Sequence, residues 1–114
     1  MLYNACDPNG NRFGEPSDVL EFPVSWVLDD FPELETFKGS ALMQSNEAVL
    51  VRWTDSFDFA YQRCSGGLVT WTLHPQTIGR SHNLLMLERF LEHVTSHEGV
   101  WFPTLSEVYD AWDD

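Results

Sequence analysis

Apolar positions recur at helical spacing between Ser45 and Cys64: Val49, Trp53, Phe57, Ala60 and Cys64 follow one another, while Arg52, Asp55, Asp58 and Gln62 fall on the opposite side. One apolar stripe of this kind predicts an amphipathic α-helix, stopped by Gly66-Gly67. Cys64 shares the stripe and reads as a buried small hydrophobe. A second stripe, Leu84, Leu87, Leu91 and Val94, predicts another helix with Ser81 as its N-cap and Gly99 as its end. Thr104-Leu105-Ser106-Glu107 has the form of a capping box and opens a third helix through Trp112.

Between the helical patterns the apolar residues form short runs instead. Val19-Leu20-Glu21-Phe22-Pro23-Val24, Leu68-Val69-Thr70-Trp71-Thr72-Leu73 and Val100-Trp101-Phe102 each read as a strand, the first kept short by Pro23, which has no N–H to give. Strand and helix thus alternate without a hairpin signal, the order that predicts parallel strands joined by right-handed helical crossovers. The expected fold class is α/β. About three strands alternating with helices make neither a closed barrel nor a comfortable open sheet. The chain therefore reads as a single partial domain over residues 1–114, with a loop-rich lead-in at 1–18, dense in Gly, Pro, Asn and Asp, and strand–helix alternation over 19–114.

Charge narrows the choice of partners. Six Lys and Arg face 18 Asp and Glu, a net charge of −12, which repels a phosphate backbone, and the few basic residues form no patch. No nucleic acid is expected. With 43% hydrophobic residues, five Trp and eight Phe, the chain has the composition of a folded core and not of a disordered segment. No apolar run nears the ~20 residues of a membrane span, and the first residues lack a signal peptide's basic and apolar regions, so the expectation is a cytoplasmic protein without a membrane partner. The two cysteines, Cys6 and Cys64, stand far apart and suggest neither a disulfide nor a thiolate metal site.

In parallel α/β folds chemistry gathers at the carboxyl ends of the strands, and both His74 and the pair Asp29-Asp30 follow β-type runs. An imidazole titrates near neutrality and can donate a proton to a leaving amine, and a neighbouring carboxylate would keep it charged and oriented. Arg80, after Gly79, is placed to bind a substrate or to pair with an acid. Trp26 stands just ahead of the acidic pair, separated from it by Val27 and Leu28, where an indole can serve as a platform for a sugar. His93 and His97 have the i, i+4 spacing of a helical metal pair. They lack the Glu that follows the first His in zincins and lie toward the polar edge of their helix, so they read as a solvated face, and no metal ligand is assigned.

Two stretches, Leu20-Glu21-Phe22-Pro23-Val24-Ser25-Trp26-Val27-Leu28-Asp29-Asp30-Phe31-Pro32 and Leu73-His74-Pro75-Gln76-Thr77-Ile78-Gly79-Arg80, resemble the polysaccharide deacetylase family, in its branch of peptidoglycan deacetylase-like proteins and cofactor-independent allantoinases. Gly99-Val100-Trp101-Phe102-Pro103-Thr104 with Glu107 is similar to the end of that domain. The resemblance implies the C-terminal half of a distorted (β/α) barrel that hydrolyses amide C–N bonds other than peptide bonds. It implies His74 as the catalytic general acid, and Trp26, Asp29, Asp30 and Arg80 as substrate-binding or supporting residues. A divalent metal, usually zinc, is expected for the complete family domain, where it activates water. The family's early catalytic Asp and its metal-binding His-x-x-x-His have no counterpart here, so the chain alone carries no cofactor and is expected to be inactive, taking a carbohydrate or small amide substrate only when completed. Two other readings remain: a non-catalytic module that forms homo-oligomers by covering exposed strand edges, and a segment of an allantoinase-like ureide hydrolase.

Overall fold

Helices form where the apolar stripes place them in the computed structural model, which describes residues 20–36 and 44–112. In chain order these are α1 (Asp30–Leu34), α2 (Asn46–Arg63), α3 (Pro75–Ile78), α4 (Ser81–Thr95) and α5 (Leu105–Ala111), with a 3-10 turn at Trp26–Leu28 ahead of α1. The contacts divide the chain into one unit, Val24–Val100, and a second formed by Met1–Pro23 with Trp101–Asp114.

The first unit is built on α2 and α4, which lie side by side and run in the same direction. Near their starts the Asn46 side-chain amide donates to the His82 carbonyl at 3.0 Å and to the Asn83 side-chain oxygen at 2.9 Å. Midway, the Trp53 and Phe90 rings meet edge to face at 5.7 Å. At their far ends Asp58 meets His93, and the Tyr61 hydroxyl donates to the Glu98 carbonyl at 3.0 Å. Leu34, Val49, Trp53, Phe57, Ile78, Met86, Phe90 and Val94 form the core between them, with Leu28, Leu50, Trp71, Leu87 and Val100 packed at its margin. Asn83 is buried within this apolar set because its amide donates to the Thr77 carbonyl at 2.8 Å, so the burial is compensated. Arg52 on α2 pairs with Glu33 on α1.

Two helical details differ from the sequence pattern. Cys64 caps the end of α2 and is exposed, because the buried arc of that helix narrows to Val49, Trp53 and Phe57. Helix α4 starts one residue earlier than the cap at Ser81 implies, with Arg80 at the N-cap, and buries Asn83, Met86, Phe90 and Val94, whereas Leu84 and Leu91 are exposed.

The larger correction concerns the sheet. Among the described residues no strand forms, and the partial (β/α) barrel of parallel strands is absent. What remains is an isolated parallel bridge between Asp29 and Thr72, made by Thr72 N–H to the Leu28 carbonyl at 2.9 Å and Asp30 N–H to the Thr72 carbonyl at 3.1 Å. The reason is local. Pro23 and the 3-10 turn break the first run, and α1 begins at Asp30, which turns the chain away after two backbone hydrogen bonds, before the bridge can extend into a ladder. The run at 68–73 is left with one short neighbour, and a strand without a ladder is not stable. The third run fares no better, since Trp101 and Phe102 are exposed and form neither helix nor strand. Val19, the lead-in at 1–18 and Cys6 lie outside the described residues.

In the second unit, α5 opens with the expected capping box. Thr104 Oγ1 accepts from the Glu107 N–H at 3.3 Å, and the Glu107 carboxylate accepts from the Thr104 N–H at 2.7 Å and the Thr104 hydroxyl at 2.8 Å. The backbone hydrogen bond from Thr104, followed by that from its hydroxyl, holds the Glu107 carboxyl below its ordinary pKa. Val108 is the buried residue of this helix. Among the described residues no helix is long and apolar enough to cross a membrane.

Candidate active site

The bridge that failed to become a sheet brings the acidic pair and His74 together. Residues 28–30 and 72–74 lie alongside each other, and after two backbone rungs the third is made by a side chain. The His74 N–H donates to the Asp30 carboxylate, 3.1 Å from Oδ1 and 2.9 Å from Oδ2. The same carboxylate receives the imidazole, with Nδ1 2.7 Å from Oδ1. Asp30 is fully buried, and its neighbour Asp29 does different work: its Oδ1 caps α1 by accepting from the Phe31 N–H at 2.9 Å and lies 3.6 Å from His74 Nδ1. Of the two acids in the motif, Asp30 is thus the one that orients the imidazole.

His74 precedes α3, with Pro75 at the first helical position, where a missing N–H costs nothing. About a third of its side chain (36%) remains exposed. With Nδ1 held by a buried carboxylate, Nε2 is the nitrogen left to exchange a proton with whatever approaches. The hydrogen bond that the imidazole donates to Asp30 is the largest influence on its titration and raises the His74 pKa above the ordinary value. Partial burial opposes this, and the charges of Asp30 and then Asp29 add to the rise. The Phe31 ring covers one side of the imidazole at a centroid distance of 5.3 Å.

Helix α1 grips the His74 turn at its other end as well. Glu35, which follows α1, accepts from the Thr77 hydroxyl at 2.9 Å and pairs with the Arg80 guanidinium at 2.9 Å. Thr77 is fully buried. Gly79 is needed where it stands, since a Cβ there would collide with the Pro75 carbonyl one turn back and disturb the end of α3. Arg80 therefore braces the loop through Glu35. Trp26 is not drawn into this cluster; its side chain stands 78% exposed in the 3-10 turn. Phe31, Glu35 and Thr77 were missed in the sequence, although Phe31 and Thr77 lie inside the two motif stretches and Glu35 ends the acidic segment that follows the first.

One donor atom each from Asp29, Asp30 and His74 lies within 4.8 Å of the others, a separation that would admit a cation. The donors themselves do not fit one. Both oxygens of Asp30 accept from the His74 N–H, Oδ1 also meets Nδ1, and Asp29 Oδ1 is engaged by the Phe31 N–H. The cluster is a carboxylate–imidazole pair.

No family model matches the chain. It is 34% identical over 100 residues to a peptidoglycan deacetylase of Helicobacter pylori, a match that covers 85% of this chain and 34% of that protein. It is 36% identical over 61 residues to a putative polysaccharide deacetylase of Schizosaccharomyces pombe, covering 51% of this chain and 19% of that protein. The chain thus spans about a third, or less, of the length of these relatives. Across most of its own length, it is a polysaccharide deacetylase-like protein.

Proposed function

We propose that this chain supplies the proton-donating part of a hydrolase that cleaves the amide C–N bond of an N-acylated carbohydrate. The observation that carries the reading is the buried Asp30 carboxylate fixed to both the backbone N–H and Nδ1 of His74. Asp30 keeps Nδ1 protonated and aims the ring. His74 then gives the proton on Nε2 to the amide nitrogen as the C–N bond breaks, so the sugar departs as a neutral amine. The raised pKa favours the protonated imidazole, the form that gives up a proton. Glu35 and Arg80 keep the His74 turn from shifting, and the exposed indole of Trp26 fits a platform for a sugar ring.

In a complete domain of this kind a divalent metal, when bound, polarises the acyl carbonyl and activates the water. The residues around His74 do not fit that metal, so the chain is proposed to be inactive by itself and to need the remainder of a deacetylase domain. The test replaces the matching stretch of the Helicobacter pylori relative with this chain and follows acetate release from an N-acetylated oligosaccharide. The chimaera is expected to turn over, the 114-residue chain alone is not, and His74→Ala in the chimaera should lower kcat by about 100-fold or more with KM little changed. Near-normal turnover of that variant removes His74 from the reaction.

A further inference from the structure

The far ends of α2 and α4 carry a second cluster that shares no residue with the first. One donor atom each of Asp58, His93 and His97 lies within 4.8 Å of the others, and all three residues are half-buried. The sequence spacing presents only the two histidines, on what reads as a solvated face. The structure adds the carboxylate from the neighbouring helix and walls the pair with aromatic rings. Phe57 stands edge-on to His93 at 5.8 Å and to His97 at 5.0 Å, and Tyr61 covers His97 at 4.8 Å.

From this we propose that Asp58, His93 and His97 form a binding site for a single divalent transition metal of the zinc class, which ties the end of α2 to the end of α4. Two imidazoles and one carboxylate are the donor set such ions favour, with a fourth position left to water. The His97 ring is already oriented as a ligand. Its Nδ1 lies 2.8 Å from the His93 carbonyl, which accepts the Nδ1 proton and leaves Nε2 with a free lone pair. His93 Nε2 and Asp58 Oδ1 face each other at 2.7 Å across one shared proton, which the metal replaces. This sets the cluster apart from the Asp30–His74 pair. There the carboxylate is fully buried and satisfied by a backbone N–H that no metal can displace, whereas Asp58 keeps about a third of its side chain (32%) exposed to an entering ion. A chain of net charge −12 also draws cations toward it.

Zinc chloride is the probe, titrated into the chelator-treated 114-residue chain in competition with a chromophoric zinc indicator, with thermal unfolding followed in parallel by circular dichroism. One zinc per chain is expected, with a rise in Tm that chelator reverses. His97→Ala and Asp58→Asn should each weaken binding by at least the ~10- to 100-fold that even an outer-shell change costs, and should abolish the rise in Tm. His74→Ala should bind zinc as the parent does. Should His97→Ala lose helical signal without zinc, His97→Gln and Asp58→Asn provide the same reading. Less than stoichiometric zinc on the parent chain overturns the proposal. So does undiminished binding in the folded His97 and Asp58 variants, or binding lost only with His74→Ala.

Discussion

Trp53 and Trp71 lie against the same Phe90 ring but differ in one hydrogen bond, which makes matched substitutions to Phe informative. Trp53 is fully buried, and its indole N–H donates to the Val27 carbonyl at 3.1 Å, fixing the 3-10 turn just ahead of Asp30. Trp71 packs on Phe90 at 5.0 Å, yet its indole N–H is buried with no acceptor among the described residues. In Trp53→Phe the lost hydrogen bond contributes about 1 kcal/mol. The void left by the missing ring atoms, roughly 40 Å³ at ~24 cal/mol per Å³, adds about another 1 kcal/mol. Together they predict a loss of about 2 kcal/mol, or roughly 8 °C in Tm for a domain near 100 residues. Trp71→Phe deletes similar atoms but also removes a donor whose burial without a partner costs about 1–3 kcal/mol, so the two effects offset and the variant should fall within about 0.5–1 kcal/mol of the parent. Urea unfolding followed by far-UV circular dichroism measures both, without relying on the altered fluorophores. If Trp71→Phe costs as much as Trp53→Phe, the hydrogen bond is not what distinguishes the two sites.

Two further outcomes follow from the polar contacts. Because Asp30 raises the His74 pKa, the folded state binds that proton more tightly than the unfolded one. The pair's contribution to stability is therefore full below the ordinary imidazole value of 6.5 and is lost as pH rises through the higher folded value. Asp30→Asn should move the NMR titration of the His74 ring downward and flatten that part of the stability curve; an unmoved titration would sever Asp30 from His74. Asn83→Ala strips the acceptor from Asn46 and leaves the buried Thr77 carbonyl with only the long contact from the Arg80 N–H at 3.4 Å, for an expected loss of about 2 kcal/mol in urea unfolding. A change below about 0.5 kcal/mol would mean that water replaces the amide.

What could be read from the chain divides along the range of the forces involved. The stripe Val49, Trp53, Phe57 and the box Thr104–Glu107 are set by neighbours within a turn or two, and both emerge as expected. The face of α4 is set by what it meets. Burial of Asn83 depends on Thr77 and Asn46, and seating it rotates Leu84 and Leu91 outward, which no periodicity of apolar residues could reveal. The runs at 68–73 and 100–102 have strand composition, but a strand is a property of two segments, and only residues 28–30 answer. At the candidate site the motifs marked Asp29, Asp30, His74 and Arg80. The division of labour between the two acids and the brace from Glu35 arise from contacts between segments more than forty residues apart.

The parallel run of α2 beside α4 has a consequence for how the molecule acquires its structure. Two antiparallel helices joined by a tight turn meet through residues close in sequence, but here the contacts that align the pair join positions 35 to 37 residues apart along the whole length of both helices. The closure of Asp30 on His74 spans 44. Chain entropy must be given up over those distances before any of the contacts is gained, so pairing these two helices carries a loop-closure cost that an antiparallel helical hairpin does not. Helix formation within α2 and α4 takes microseconds or less, and the search that brings them into register sets the pace.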